Sequence, residues 1–334
     1  MDALTKSFRN PPDEAHAWMC TQEPWVRYRT QIDLLRLSPE DERVRESYRD
    51  MIRHPLIRSL IQEVQDWPGE VLKRHNDARH LLHKLVFLAD LDIAFDAEGM
   101  YPVRDRILSH QSGEGPYQIL GNIPMVFGGT GQDEFFWMLC DAPLLTYAVY
   151  KMGVRNDGVT RSVDHLLSLR KEFGWPCAAD SVLGRKFKGP GRRTDPCPYA
   201  NVLMLRLLSA IPELRNGPEA RHGAGVLLDL WDHRKEKKYF LFGMGTDFGK
   251  LKAPLIWFDV LHVASVLVQF EFLRGDRRLE EMVRLIQGKS DEQGLFRAES
   301  VYRAWQDWDF GQKKVPSGWI TYLAHFVSQK FEST

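Results

Sequence analysis

Hydrophobic positions along this chain come in two kinds of stretch, and the two kinds alternate. Leu81 to Ile93 is apolar on nearly every side; after a break at Glu98-Gly99 comes the more polar Pro102 to Ser109. The same order returns as Pro143 to Met152 with Thr160 to Phe173, as Pro196 to Ile211 with Pro218 to Trp231, and as Pro254 to Leu273 with Arg277 to Gln287. A final apolar stretch, Pro316 to Phe331, has no polar successor. Apolar steps of three and four predict helices throughout, and the apolar stretches start roughly 54 to 61 residues apart, a repeat without sequence identity. Proline sits at or near the first turn of the last four, where its missing N–H costs nothing.

A helix that is apolar all round is buried, and one with a single apolar face covers it. The pattern therefore predicts two layers, apolar helices inside and amphipathic ones outside. The unpaired apolar helix at the end favours closing the array by docking on the N-terminal helices, so the expected fold is all-α, an α/α toroid with an N-terminal helical extension. Upstream, Trp25, Tyr28, Ile32 and Leu35 mark one helix, Ser38-Pro39-Glu40-Asp41 opens a charged one to about Arg53, and Leu56 to Val64 forms a third. Residues Met1 to Glu23 lack periodicity and read as an arm. The expected division is an arm with packing helices over 1–76 and the ring over 77–334. Breaks within a pair are short, whereas the connections Gln111 to Asp133, Gly174 to Asp195, Asp232 to Ala253 and Gly288 to Val315 are long. In an up-down array those long loops share one rim, which is where function is expected.

Charge narrows the partners. The 45 basic residues equal the 45 acidic ones, so no overall field favours nucleic acid. No apolar run approaches the roughly 18 residues of a membrane span, so no integral membrane association is expected. Four scattered cysteines and an opening MDALTKSF without an apolar signal core point to a reduced, cytoplasmic protein. Motifs for P-loop, dinucleotide-binding, zinc-protease and serine-hydrolase chemistry are missing, as is any C-x-x-C pair.

Chemistry concentrates in the glycine- and proline-rich turn Phe187 to Tyr199, which holds Arg192, Arg193, Asp195 and Cys197. One repeat later, Asp259, His262, Ser265 and Gln269 form a polar stripe on an apolar helix, and Trp319, Tyr322, His325 and Gln329 repeat that spacing on the last one. Matching stripes imply a polar lumen faced by both. In a ring Asp195, Cys197 and His262 would sit on neighbouring inner helices, and all three are zinc ligand types. Equally, Asp195 would serve as a helix cap, Cys197 as a small buried hydrophobe and each histidine as a satisfied core residue. Lys186, Lys188 and Lys238 lie in basic loop clusters, suited to an anionic group or simply solvated. Trp305, Trp308, Phe310 and Trp319 suit either an apolar substrate wall or the core.

The segment F-K-G-P-G-R-R-T-D-P-C-P-Y resembles the stretch of protein prenyltransferase β subunits in which F-x-G and basic residues lead into the zinc-binding D-x-C. Asp259-Val260-Leu261-His262, 65 residues after Cys197 by position of the histidine, is similar to that family's D-x-x-H. The family shares its α/α toroid with squalene/hopene-type terpenoid cyclases. The resemblance implies Asp195, Cys197 and His262 as zinc ligands, Asp259 beside them, and Arg192 with Arg193 facing a diphosphate. Departures are plain: Phe127-Gly128-Gly129-Thr130-Gly131 lacks the histidine of the family's H-G-G, Pro198 stands where a tyrosine follows the cysteine, and Asp90, Asp92 and Asp96 do not make a D-x-D-D acid.

The resulting expectation is a zinc-dependent transferase, or a hydrolase or lyase, acting on a hydrophobic, isoprenoid or aromatic, small substrate with an anionic end. Asp259, His262 and Cys197 would carry catalysis, and Arg192, Arg193, Lys186, Lys188, Lys238, Trp319, Tyr322 and His325 would bind substrate. A partner subunit or a homo-oligomer would fit the resemblance. The alternatives are a metal-free Cys-His hydrolase and a non-catalytic toroid that binds a ligand or partner protein.

Overall fold

The computed structural model describes residues 13–183, 194–236, 238–239 and 242–333. Within them the chain is mostly helical, and no helix is long and apolar enough to cross a membrane.

Four N-terminal helices come first: α1 (Asp13–Met19), α2 (Pro24–Arg29), α3 (Glu42–Arg53) and α4 (Pro55–Val64). α2 continues into a π-helical turn, Thr30–Leu34. α1 lies in the stretch expected to be an arm; Ala15 and Met19 are buried, and the helix packs on the last helix of the chain. Inner and outer helices then alternate: α5 (Leu81–Asp90) with α6 (Tyr101–Ser109), and α7 (Ala142–Lys151) with α8 (Asp157–Ser168). α9 (Pro198–Ala210) is followed by a single-turn α10 (Pro212–Arg215) and by α11 (Pro218–Asp232). α12 (Val260–Leu267), α13 (Arg277–Gln287) and α14 (Gly318–Ser333) complete the order.

Burial separates the layers. In α9 every residue from Pro198 to Ser209 is buried, and in α12 all are. In α13 only Leu279, Met282, Val283 and Ile286 are, at steps of three, one and three, leaving an outward charged face. α5 packs on α7, α7 on α9, α9 on α12 and α12 on α14. Phe87 of α5 meets Trp319 of α14 at 5.5 Å between ring centroids, so the first and last inner helices also touch. Trp305, Trp308 and Phe310 close around the same ring. These three are core, not an open wall.

Three local expectations need correction. Pro254 does not start a helix: α12 begins at Val260, because the Asp259 carboxylate caps it by accepting the His262 N–H at 2.9 Å. Pro196 precedes its helix, and Pro198 takes the first helical position behind the cap Cys197. The connection before α7 holds a two-stranded antiparallel hairpin, β1 (Ile119–Asn122) with β2 (Asp133–Phe136), within an otherwise helical chain. Gly128 and Gly131 serve its turn with φ of 87° and 72°, and a Cβ at Gly129 would fall 2.2 Å from the Ile123 carbonyl.

Phe87→Ala is expected to cost about 3–5 kcal/mol, since it empties the ring that ties α5 to α14. Urea unfolding at an unchanged m-value measures it; a loss below about 1 kcal/mol would mean that the two helices are held together elsewhere.

Candidate functional site

Polar side chains gather at the starts of α5, α7, α9 and α12. A buried helix start leaves backbone N–H groups that need acceptors, and here the acceptors are unusual. His80 Nδ1 accepts the Leu82 N–H at 3.1 Å for α5, Cys197 Sγ accepts the Ala200 N–H at 3.5 Å for α9, and Asp259 caps α12. Asp141, at the same position of α7, does not cap. Its Oδ1 instead accepts from His75 Nδ1 at 2.9 Å, and the carboxylate is fully buried.

Backbone pairing brings three cysteines to this point. Met138 bridges Ala179, and the Leu139 N–H donates to the Ala178 carbonyl, which sets Cys140 beside Cys177. The Cys197 N–H donates to the Trp175 carbonyl at 2.8 Å, and Asn201 Nδ2 donates to the carbonyls of both Trp175 and Cys197. The Cys140 thiol lies within hydrogen-bonding reach of the sulfurs of Cys177 and Cys197, and these neighbours, with burial, push its pKa well up. Cys197 shifts the other way: the Cys140 S–H and the Ala200 N–H favour its thiolate against burial. Burial works against a charged His75, but the Asp141 carboxylate, and then the sulfurs of Cys177 and Cys197, outweigh it and raise its pKa. No disulfide joins any of the four cysteines.

His262 lies deeper. Its Nδ1 donates to the Trp257 carbonyl at 3.0 Å, which fixes the tautomer and leaves the lone pair on Nε2. Nε2 is buried and has no hydrogen-bond partner among the described residues, and neither has Asp259 Oδ2. Burial holds the His262 pKa down to about 3 and that of His83, whose Nε2 donates to the His75 carbonyl, to about 4. Burial raises Asp259 to about 7.

The residues expected from the sequence separate into groups. Cys197 joins Cys140 and Cys177, while His262 joins Trp257 and Asp259; Asp195 is partly exposed, two residues before the cap of α9. Among the described residues no group of three or more His, Cys, Asp or Glu side chains stands where it would hold a metal ion. Lys186, Lys188, Arg192 and Arg193 lie outside the described residues. Lys238 is exposed, and in its cluster Lys250 pairs with Asp247, Lys252 stands over the Tyr302 ring and Arg234 over Trp231. Asp259, His262 and Gln329 of the two stripes stand outside the lining of a cavity that Trp319, Tyr322, Ser265 and Gln269 do line. His325 does not: it bonds the Gly294 carbonyl at 2.8 Å and packs on Phe296, because it points to the outer side of α14. His75 and Asp141 were missed. The signal available was positional, an aspartate directly before the second inner helix and a histidine six residues before the first.

Buried groups here couple stability to pH in opposing ways. His262, His83 and His325, the last lowered to about 4, bind protons in the unfolded chain below about 6.5 but not in the folded one, so stability falls on acidification through that window. Asp259 holds its proton in the folded chain up to about 7 and releases it near 3.9 unfolded, so its contribution is lost as pH rises from about 4 to 7. Asp259→Asn keeps the Oδ1 cap and removes that loss. It is expected to stabilise the protein by ~1–3 kcal/mol at pH 8 and to change little at pH 4, as read from thermal melts across pH; an equal shift at both pH values would show that Asp259 does not titrate in this way.

No protein-family model matches this chain and no curated protein matches it, so the chemistry of the site rests on its own geometry.

Proposed function

We propose that this chain is an α/α-toroid enzyme whose reactive group is the Cys197 thiolate, with His75 and Asp141 as its proton relay and a hydrophobic small molecule as substrate. What supports the ring is the order of packing, α5 through α14, together with the Phe87–Trp319 contact that joins its ends. What supports the chemistry above all is the sulfur arrangement: Cys197 receives hydrogen bonds at a helix start while the imidazole next to it is braced by a buried carboxylate. A nucleophile, a base and an orienting acid is the minimum set for transfer of an acyl or alkyl group through sulfur. The apolar hairpin tip Met125, Val126 and Phe127 is exposed in the long connection of the same rim, which suits an apolar substrate. The relay replaces His262 with His75 in the metal-free Cys-His alternative.

One observation favours a second reading. A histidine that gives Nδ1–H to a carboxylate presents Nε2 as a good metal ligand, and Cys140, Cys177, Cys197 and His75 together have the donor chemistry of a Cys₃His zinc set. Zinc held there would keep the sulfurs as thiolates and supply positive charge to a bound nucleophile. The side chains would have to draw closer to ligate it.

Two measurements separate these readings. In metal-free protein, thiolate absorbance is expected to show one sulfur titrating below the ordinary thiol range; the signal disappears in Cys197→Ser and moves to higher pH in Cys140→Ala, which removes the S–H donor. Four thiols titrating at or above the ordinary value would exclude Cys197 as the reactive group. Stoichiometric zinc in protein prepared without chelator, lost in His75→Ala, would establish the second reading.

A further inference from the structure

A cavity of about 290 Å³ lies among the C-terminal halves of α5, α7, α9 and α12, away from the thiols, and along α14 from Trp319 to Lys330. Cys197 and Arg206, on the same helix, are nine residues and so about 13 Å apart along its axis. Fully buried Tyr199, His83 and His262 belong to the part of the inner helices between them. The cavity is therefore a different site from the rim, although all five inner helices contribute to it.

Its walls differ in character. Phe87, Trp319, Tyr322 and Phe326 give an aromatic side. The other side is polar: Arg206, only 6% exposed, pairs with Asp90, which also accepts from Tyr147 Oη at 2.8 Å. Arg29 pairs with Asp33 and Asp92, and Lys151 reaches Asp92 at 2.8 Å. The lining holds five cationic side chains, Arg29, Lys151, Arg206, Arg215 and Lys330, and two carboxylates, Asp33 and Asp90. Lys330 is exposed and stands over the Phe326 ring; with Asp92 counted behind the wall, the other four cations face three carboxylates, a surplus of one positive charge. Ser265 supplies an independent sign of a ligand. It lines the cavity, is 5% exposed, and its Oγ has no hydrogen-bond partner among the described residues. A hydroxyl buried in that state costs stability unless something pairs with it.

We propose that this cavity binds a small amphipathic anion, a carboxylate or phosphate with one ring or a short chain, whose head meets Ser265 and the cationic wall and whose body lies on the aromatic side. The volume is that of about ten waters, which limits the body to that size. The surplus of charge selects an anion over a cation, and the burial of Arg206 makes a charge-assisted bond there stronger than at a surface. A free small molecule fits; a chain end or lipid tail would need a longer channel.

Calorimetric titration of the full chain with 3-phenylpropionate, phenyl phosphate, 3-phenylpropanol and 3-phenylpropylamine tests this. One or both anions are expected to bind with one-to-one saturation, at least about tenfold more tightly than the alcohol and the amine. Arg215→Gln, at a partly exposed position that leaves the core intact, and Ser265→Ala, which fits the same space, are each expected to weaken the anion about fivefold or more. Equal affinity for all head groups, no saturable anion binding, or anion binding unchanged in both variants would each overturn the proposal.

Discussion

A helix buried on all sides still exposes backbone N–H groups at its start, and those groups must be paired. That constraint organises the working end of this molecule. The inner helices start side by side, so the residues that satisfy their first turns are gathered there whether or not they are chemical. In this chain they are His80, Cys197 and Asp259, each accepting a backbone N–H. Asp141 is the informative exception. It occupies the capping position of α7 but spends its carboxylate on His75, a choice that costs a cap worth about 1 kcal/mol and orients an imidazole within electrostatic reach of Cys177 and Cys197.

The same burial sets the protonation states. His83 and His262 are kept neutral and Asp259 is kept protonated to about 7 because water is excluded from the middle of the inner helices. Cys197 shows what hydrogen bonding does against that trend, since one thiol donor and the backbone N–H groups of Ala200 and Tyr199 move it toward the thiolate in an equally buried place. Neighbouring groups in one layer are thus pushed in opposite directions by different causes, the condition under which acid and base roles separate.

Aromatic packing does the remaining work. Phe87 lies among Trp305, Trp308, Phe310 and Trp319, and draws the last connection and the last helix onto the first inner helix. Phe87 and Trp319 also stand in the lining of the cavity, facing its polar wall. Arg29 at the end of α2 and Asp33 of the π-helical turn stand at its edge and bond Tyr322.

Much of the framework was legible in the sequence. Alternating apolar and amphipathic helices, their order and the unequal loops follow from local periodicity and proline placement, and those depend on burial and backbone sterics that neighbouring residues report. The element bounds failed where a side chain beyond the periodic run took over, as at Asp259, or where paired backbone in a long connection formed the hairpin of Ile119 to Phe136. Cys197, Asp259 and His262 stand out in the sequence by residue type. Which of them meet was decided only by tertiary structure, because a hydrogen bond such as His75 to Asp141 joins residues 66 positions apart and leaves no trace in local spacing. The sequence by itself determined that this chain builds layers of helices. Packing decided that Cys197 faces Cys140 and Cys177, because contact depends on how helices lie against each other in space and not on how far apart they lie in the chain.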